Sequence, residues 1–191
     1  MNRAFKRICV FCGSSPGKND EYRITARELG KTLARSRITL VYGGGNVGLM
    51  GELAQSVLDH SGYVIGIIPK KIYQMVDHLE LSELHVVPDM HKRKSMMYEL
   101  SDGFIILPGG TGTIEEFFEI FTWYQLGFHL KPMGLLNVNN YFLNLNSFLN
   151  HMVKEGFLKQ EHKNVILVDQ NPESLISKMR GQEVTYIHKL K

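Results

Sequence analysis

The sequence predicts an α/β fold: a Rossmann-like, doubly wound parallel sheet in a three-layer α/β/α sandwich, formed as a single domain over residues 1–191. Three observations predict it. Seven short apolar runs rich in β-branched and aromatic residues recur along the chain, segments of helical length and period separate most of them, and glycines gather where runs end and helices begin. With 43% hydrophobic residues, the chain can bury one substantial core around such a sheet.

The first strand is expected at Ile8–Phe11, followed by a helix on which Tyr22, Ala26, Leu29 and Leu33 share one face, with Asn19 or Asp20 as its cap. Ile38–Tyr42 forms the second strand and leads through Gly43-Gly44-Gly45-Asn46-Val47-Gly48 into a helix over Leu49–His60. Val64–Ile68 and Leu84–Val87 give the next strands, with a helix over His91–Leu100 after them. Phe104–Leu107 runs through Pro108-Gly109-Gly110-Thr111-Gly112-Thr113 into a helix over Thr113–Leu126. The strand Met133–Val138, the helix Tyr141–Glu155, the strand Val165–Val168 and the helix Pro172–Met179 complete the alternation. Pro69, Pro88, Pro108 and Pro132 fall at element boundaries, where a missing N–H is tolerated.

Charge narrows the partners. The 22 basic and 19 acidic residues are scattered, with no basic stripe to neutralise a phosphate backbone, so a small anionic molecule is expected and nucleic acid is not. The start of the chain, Met1 to Arg7 and then a short strand, holds neither a signal-type apolar segment nor the ~20 apolar residues of a membrane span, so no membrane association and a cytoplasmic location are expected. Cys9 and Cys12 have the spacing of a redox or zinc pair, but they lie in a strand-like run with no second pair to complete a metal site, and a structural role is expected.

The run from Gly43 to Gly48 has the spacing of a dinucleotide-binding turn, yet the next strand ends Ile67-Ile68-Pro69-Lys70 without the acidic residue that would hold a ribose diol, which argues against NAD. Gly44 and Gly45 remain candidates for close approach of a phosphate or ribose to the backbone. The stronger signal is Gly109, Gly110, Thr111, Gly112 and Thr113 at a helix start. There glycines turn N–H groups toward an anion, threonines add hydroxyl donors, and the helix end contributes roughly half a positive charge. A phosphate monoester fits that turn, although a turn needing only unusual backbone angles would read alike. Glu115 and Glu116 sit in the first helical turn, where a carboxylate is favoured electrostatically in any case. Glu116 is three residues beyond Thr113, on one face at roughly 5–6 Å, a span similar to that between a 5′-phosphate and the C1′ of its ribose.

The third cluster, Asp89-Met90-His91-Lys92-Arg93-Lys94, ends the fourth strand and begins a helix. As adjacent parallel strands, the fourth and fifth are expected to place it beside the Gly-Gly-Thr turn. Arg93 can grip an oxyanion in bidentate fashion and Lys94 can add a point charge; three cations at a helix start oppose its dipole, so either a bound anion compensates them or they form a solvated basic turn. His91 reads as a structural or orienting residue.

Taken together, these residues resemble the Lonely Guy family, the cytokinin riboside 5′-monophosphate phosphoribohydrolases, whose members were often labelled lysine decarboxylase-like. The resemblance runs from about Arg7 to Met179. It is carried by Phe11-Cys12-Gly13-Ser14-Ser15, Tyr42 to Gly51, Met90-His91-Lys92-Arg93-Lys94, Pro108 to Glu116, and Thr122-Trp123-Tyr124-Gln125-Leu126-Gly127 with Lys131-Pro132 and Gly134 to Val138 beyond. It implies Arg93 and Glu116 in the two catalytic positions. It further implies nucleotide contacts from Ser14, Lys94, the turn Gly109 to Thr113, Ile114, Glu115 and Thr122, no metal or cofactor, and a homodimer.

The implied reaction is hydrolysis of the N-glycosidic bond of an adenosine 5′-monophosphate, N6-substituted or plain. One carboxylate would stabilise the oxocarbenium-like state and activate water, while departure of the base relies on Arg93 or on the ring nitrogens. One departure stands out: relatives often carry a substrate-contacting glutamate after the strand ending at Pro69, whereas this chain reads Lys70-Lys71-Ile72, and Lys71 bears on ribose or base recognition. Amino-acid decarboxylation needs a Schiff-base lysine and an acidic partner for pyridoxal phosphate, and no lysine here has that setting. The rival of another class is a nucleotide or molybdenum-cofactor carrier, which would not require the Arg93/Glu116 pair.

Overall fold

The computed structural model describes residues 4–189. Seven strands form one sheet among them: β1 (Arg7–Phe11), β2 (Thr39–Tyr42), β3 (Val64–Pro69), β4 (Glu83–Val87), β5 (Gly103–Ile106), β6 (Met133–Leu136) and β7 (Ile166–Asp169). All neighbours are parallel, in the order β4-β3-β2-β1-β5-β6-β7. The helices are α1 (Glu21–Arg35), α2 (Gly48–Asp59), α3 (Lys70–Tyr73), α4 (Met90–Leu100), α5 (Thr111–Gln125), α6 (Leu143–Lys154), α7 (Gln160–Lys163) and α8 (Pro172–Gly181).

Both faces of the sheet are covered, which is why the inner strands β3, β5 and β6 are apolar throughout, whereas the edge strand β4 carries Glu83 and His85. Strand residues divide by parity. Ile8, Val10, Leu40, Tyr42 and Ile105 pack with Leu29, Leu33, Leu53, Val57, Leu175 and Ile176 of α1, α2 and α8. Cys9, Phe11, Val41, Phe104 and Ile106 pack with Met97, Phe117, Phe121 and Leu149 of α4, α5 and α6 on the other face. Three layers result, as the sequence predicts.

Local chemistry sets the ends of the elements. The Asn19 side chain accepts the N–H of Glu21 at 3.0 Å, so of the two expected caps Asn19 supplies the bond at the start of α1. Asp89 caps α4 by accepting the N–H of Lys92 at 2.8 Å, and Asn171 caps α8 by accepting the N–H of Ser174 at 3.0 Å. The sixth strand ends at Leu136, two residues short of expectation, because the chain turns through a 3₁₀ segment over Val138–Asn140.

Strand order corrects one expectation. β4 lies at the edge and β5 beyond β1, so three strands separate them and the Asp89–Lys94 segment does not reach the Gly-Gly-Thr turn by strand adjacency. The connection does the work instead: α4 packs across β3, β2 and β1 on its way to β5. Four strand spacings are roughly 19 Å, and eleven helical residues span roughly 16 Å, so one helix bridges the sheet. Strand order reverses at β1, which pairs with both β2 and β5, and the crevice beyond their carboxyl ends is where ligands settle in such sheets. No helix among the described residues is long and apolar enough to cross a membrane.

Candidate active site

The crevice is built from glycine turns pressed together. Gly13, just after β1, donates its N–H to the Pro108 carbonyl at 3.0 Å, and its own carbonyl accepts the N–H of Leu49 at 3.0 Å, joining the turns after β1 and β5 to the first residues of α2. Gly109 tolerates no side chain: a Cβ there would stand 2.2 Å from Thr113 Oγ1 and 2.7 Å from the Gly13 nitrogen. Two residues earlier than expected, α5 starts at Thr111 with Gly110 as its N-cap. Ile114 donates the first intrahelical bond, to Gly110 at 3.2 Å, which leaves the N–H groups of Thr111, Gly112 and Thr113 ahead of the ladder and at the positive end of a fifteen-residue helix.

Two chambers open on this crevice and share Ser14 and Gly110. One, of about 310 Å³, is lined by Thr111, Gly112, Thr113 and Glu115 of the α5 start, by Arg93 and Glu116, and by Cys12, Met50 and Met90. The other, of about 270 Å³, lies on the side of Tyr22, Leu49 and Tyr141. Of the two, only the first brings the free N–H groups of the α5 start together with charged side chains.

Arg93 and Glu116 meet there. Arg93 Nη1 donates to Glu116 Oε1 at 2.7 Å, with the two side chains 12% and 10% exposed. Arg93 is fixed further by Nε, which donates to the Ile67 carbonyl at 3.3 Å, and by an Nη1 contact of 3.3 Å to Met90 Sδ. Gly43 makes room for it, since a Cβ at Gly43 would lie 2.1 Å from Arg93 Nη2. Burial pushes the Glu116 carboxyl above its ordinary range, and the Arg93 guanidinium draws it partly back. Such a carboxylate is costly to hold charged, and a developing positive charge nearby would relieve that cost.

The other expected residues divide. Ser14, Gly110, Thr111, Gly112, Thr113 and Glu115 line the Arg93/Glu116 chamber, whereas Gly109 lines the neighbouring one. Gly44 and Gly45 line neither; Gly44 turns the chain at φ 78° against Ile68. Lys94 is bound to Glu115 at 2.6 Å and Glu119 at 3.0 Å and is absent from the lining. Its burial disfavours the charge, but the bonds to both glutamates outweigh this and hold the ammonium above its usual pKa. Thr122 lies on the face of α5 that carries Glu115 and Glu119, half-buried and away from the chamber, and Ile114 is half-buried in the first turn. His91 and Lys71 are exposed.

The cations of the α4 start find their compensation within the chain: the Asp89 cap, and the carboxylates of α5 facing Arg93 and Lys94. Sequence reasoning missed Gly43, Cys12, Met50, Met90 and Tyr141. All but Tyr141 stand inside the motifs quoted above, Gly43 as the first of three glycines, but nothing in those runs says which member faces the site. Cys9 and Cys12 are free, buried and packed on opposite faces of the sheet, and burial raises both thiols well above their usual range. They are protonated at neutral pH, in keeping with a structural role.

Comparison with known proteins adds to this geometry. A family model described as possible lysine decarboxylase matches residues 50–179. The cytokinin riboside 5′-monophosphate phosphoribohydrolase of Rhodococcoides fascians is 47% identical over 178 residues, covering 92% of this chain and 90% of that protein. The enzyme of the same name designated LOG3 in Arabidopsis thaliana is 47% identical over 176 residues, 92% of this chain and 82% of its own length. Among solved structures, the molybdenum cofactor binding protein of Rippkaea orientalis superposes with a TM-score of 0.70 at 23% identity, covering 93% of this chain and 97% of that one, a likeness of fold.

Proposed function

The chain belongs to the Lonely Guy family of cytokinin riboside 5′-monophosphate phosphoribohydrolases, and from that membership we propose that it hydrolyses the bond between base and ribose in an adenosine 5′-monophosphate, N6-substituted or plain. The products are the free base and ribose 5-phosphate. The observation that carries the reading is the buried Arg93–Glu116 pair beside an unladdered helix start.

In this reading the 5′-phosphate rests on the N–H groups of Thr111, Gly112 and Thr113 and on their hydroxyls, with the end of α5 supplying the opposing partial charge. Ser14, Gly109, Gly110, Ile114 and Glu115 shape the same turn. The phosphate then directs the sugar along the first turn of α5, so that C1′ comes to Glu116. As the glycosidic bond breaks, positive charge spreads over C1′ and the ring oxygen, and the Glu116 carboxylate stabilises it. It also takes the proton of the water that attacks C1′, while the departing base, which leaves with the bonding electron pair, is neutralised by a proton taken up from solvent at a ring nitrogen. Arg93 holds the carboxylate in place and offers its remaining N–H groups to the departing base. Lys94 acts one step back, positioning Glu115 and Glu119 through its two ion pairs.

Lys94 is committed to two carboxylates, a poor setting for a Schiff-base lysine, which counts against decarboxylation. The likeness to molybdenum-cofactor proteins is one of fold and brings no ligand with it. A homodimer is part of the proposal, supported by the partly exposed apolar side chains Met96, Phe118 and Trp123 on α4 and α5; sedimentation as a monomer at working concentration overturns it. Chromatography of reactions with AMP and with its N6-isopentenyl analogue tests the reaction itself. Free base is expected, and its absence from both reactions overturns the proposal.

A further inference from the structure

We infer that Tyr141 is a positioning residue of the phosphate turn, acting through the carbonyl of Gly109; the inference rests on the nucleotide reading above. Tyr141 Oη donates to the Gly109 carbonyl at 2.6 Å from an element remote in sequence, the segment between β6 and α6. On its other side Gly109 has no spare room, since a Cβ there would collide with Thr113 of α5 and Gly13 after β1. The carbonyl is the handle that remains.

What that handle controls follows from peptide geometry. In a trans peptide the C=O and the following N–H point in opposite directions, and no peptide among the described residues is cis. Anchoring the Gly109 carbonyl on Tyr141 therefore aims the Gly110 N–H the opposite way. Tyr141 lines the smaller chamber alone, whereas Gly110 lines both. The donor is thereby turned toward the chamber of Arg93 and Glu116, where it joins the N–H groups of the α5 start.

The backbone goes to some length to present this hydroxyl. Asn139 and Asn140 are both left-handed, at φ 49° and 58°, a conformation that costs a side-chain-bearing residue energy and that asparagine tolerates better than most. Asn137 Oδ1 accepts the N–H of Phe142 at 2.8 Å, and the Phe142 ring is buried in the core. The turn is thus pinned on both sides of Tyr141, whose ring meets Tyr22 edge-on at 5.9 Å. Two strained residues in a row persist where the surrounding structure requires them.

The test compares Tyr141→Phe, which keeps the ring and removes the hydroxyl, with Tyr22→Phe, which alters the same chamber without a bond to the turn. Ribose 5-phosphate binding is measured by calorimetry, and kcat and KM with AMP. For Tyr141→Phe, loss of one hydrogen bond predicts roughly three- to tenfold weaker ribose 5-phosphate binding and a matching rise in KM, with kcat within about twofold. Tyr22→Phe is expected to behave as wild type. Unchanged binding in Tyr141→Phe overturns the inference, as does a loss confined to kcat or an equal effect in Tyr22→Phe. Wild-type protein that binds ribose 5-phosphate but turns over no nucleotide overturns the proposed hydrolysis, while the calorimetric comparison still decides the role of Tyr141. Wild-type protein that binds neither overturns both.

Discussion

Arg93 and Glu116 face each other at 2.7 Å although the helices that carry them follow strands separated by three others in the sheet. The pair is nearly buried, and the burial that raises the Glu116 carboxyl is stronger than the attraction that lowers it. Each half of this balance can be probed by substitution.

Glu116→Gln keeps the size and one oxygen acceptor for Arg93 but removes the charge. Hydrolysis of AMP should fall by about 10²–10⁴-fold, the usual contribution of a charge-stabilising group that also manages a proton. Thermal melting should show a folded protein. Turnover like that of the wild type would remove Glu116 from the mechanism.

Arg93→Ala leaves a buried carboxylate without its counter-ion, which costs about 3 kcal/mol or somewhat more. Without the guanidinium, the folded-state pKa of Glu116 rises further above its unfolded value. A raised carboxyl pKa means that stability is fullest at pH values below the unfolded pKa and is lost as pH climbs through the folded one. Urea melts should therefore show the variant closer to wild type at pH 5 than at pH 8. An equal gap at the two values contradicts this account.

The same shift predicts the acid side of the rate profile. In the proposed mechanism Glu116 works as the carboxylate, so kcat/KM is expected to fall as pH drops through its raised pKa, beginning at a higher pH than for an exposed glutamate. In Glu116→Gln the residual rate should lose that limb, and a limb retained unchanged would assign it to another group.

Glycines at the proposed phosphate turn are not equivalent. Gly109→Ala puts a methyl group against Thr113 and Gly13, so the turn must shift, with about 1–3 kcal/mol lost and weaker nucleotide binding. At Gly112 an added methyl meets nothing within 4 Å, and Gly112→Ala should fold with wild-type stability. Melting curves that rank the two variants the other way would show the turn to be packed differently.

Phosphate is expected to be the handle for the whole substrate. Adenosine, lacking it, should be hydrolysed at least about 10²-fold less efficiently than AMP, because the N–H groups at the α5 start then have no anion to hold. Comparable kcat/KM for the two would sink the positioning argument.

Much of this was legible in the sequence for a physical reason. Strands buried on both faces must be apolar throughout, so runs such as Val64–Ile68 and Phe104–Leu107 stand out, and the helices between them carry a readable period. The four-residue helices Lys70–Tyr73 and Gln160–Lys163 are too short to show a period and were not legible. α5 starts two residues ahead of its predicted start: Thr111 and Gly112 are poor helix formers in general, yet at a first turn their free N–H groups cost little. Arg93 and Glu116 were recognisable as candidates, but not the route that unites them, since strand order is absent from any local pattern. Tyr141 gave no signal, because its target depends on the backbone sign at Asn139 and Asn140.

The bridging course of α4 has a practical consequence. One member of the ion pair is delivered from the rim of the sheet and the other from its middle, so the pair closes only when the outer strands are seated against the centre. Under the proposed mechanism, catalytic output would therefore double as a gauge of long-range assembly. Damage to the rim around Glu83–Val87 should silence the enzyme before it unravels the remainder, without touching any atom that meets the substrate.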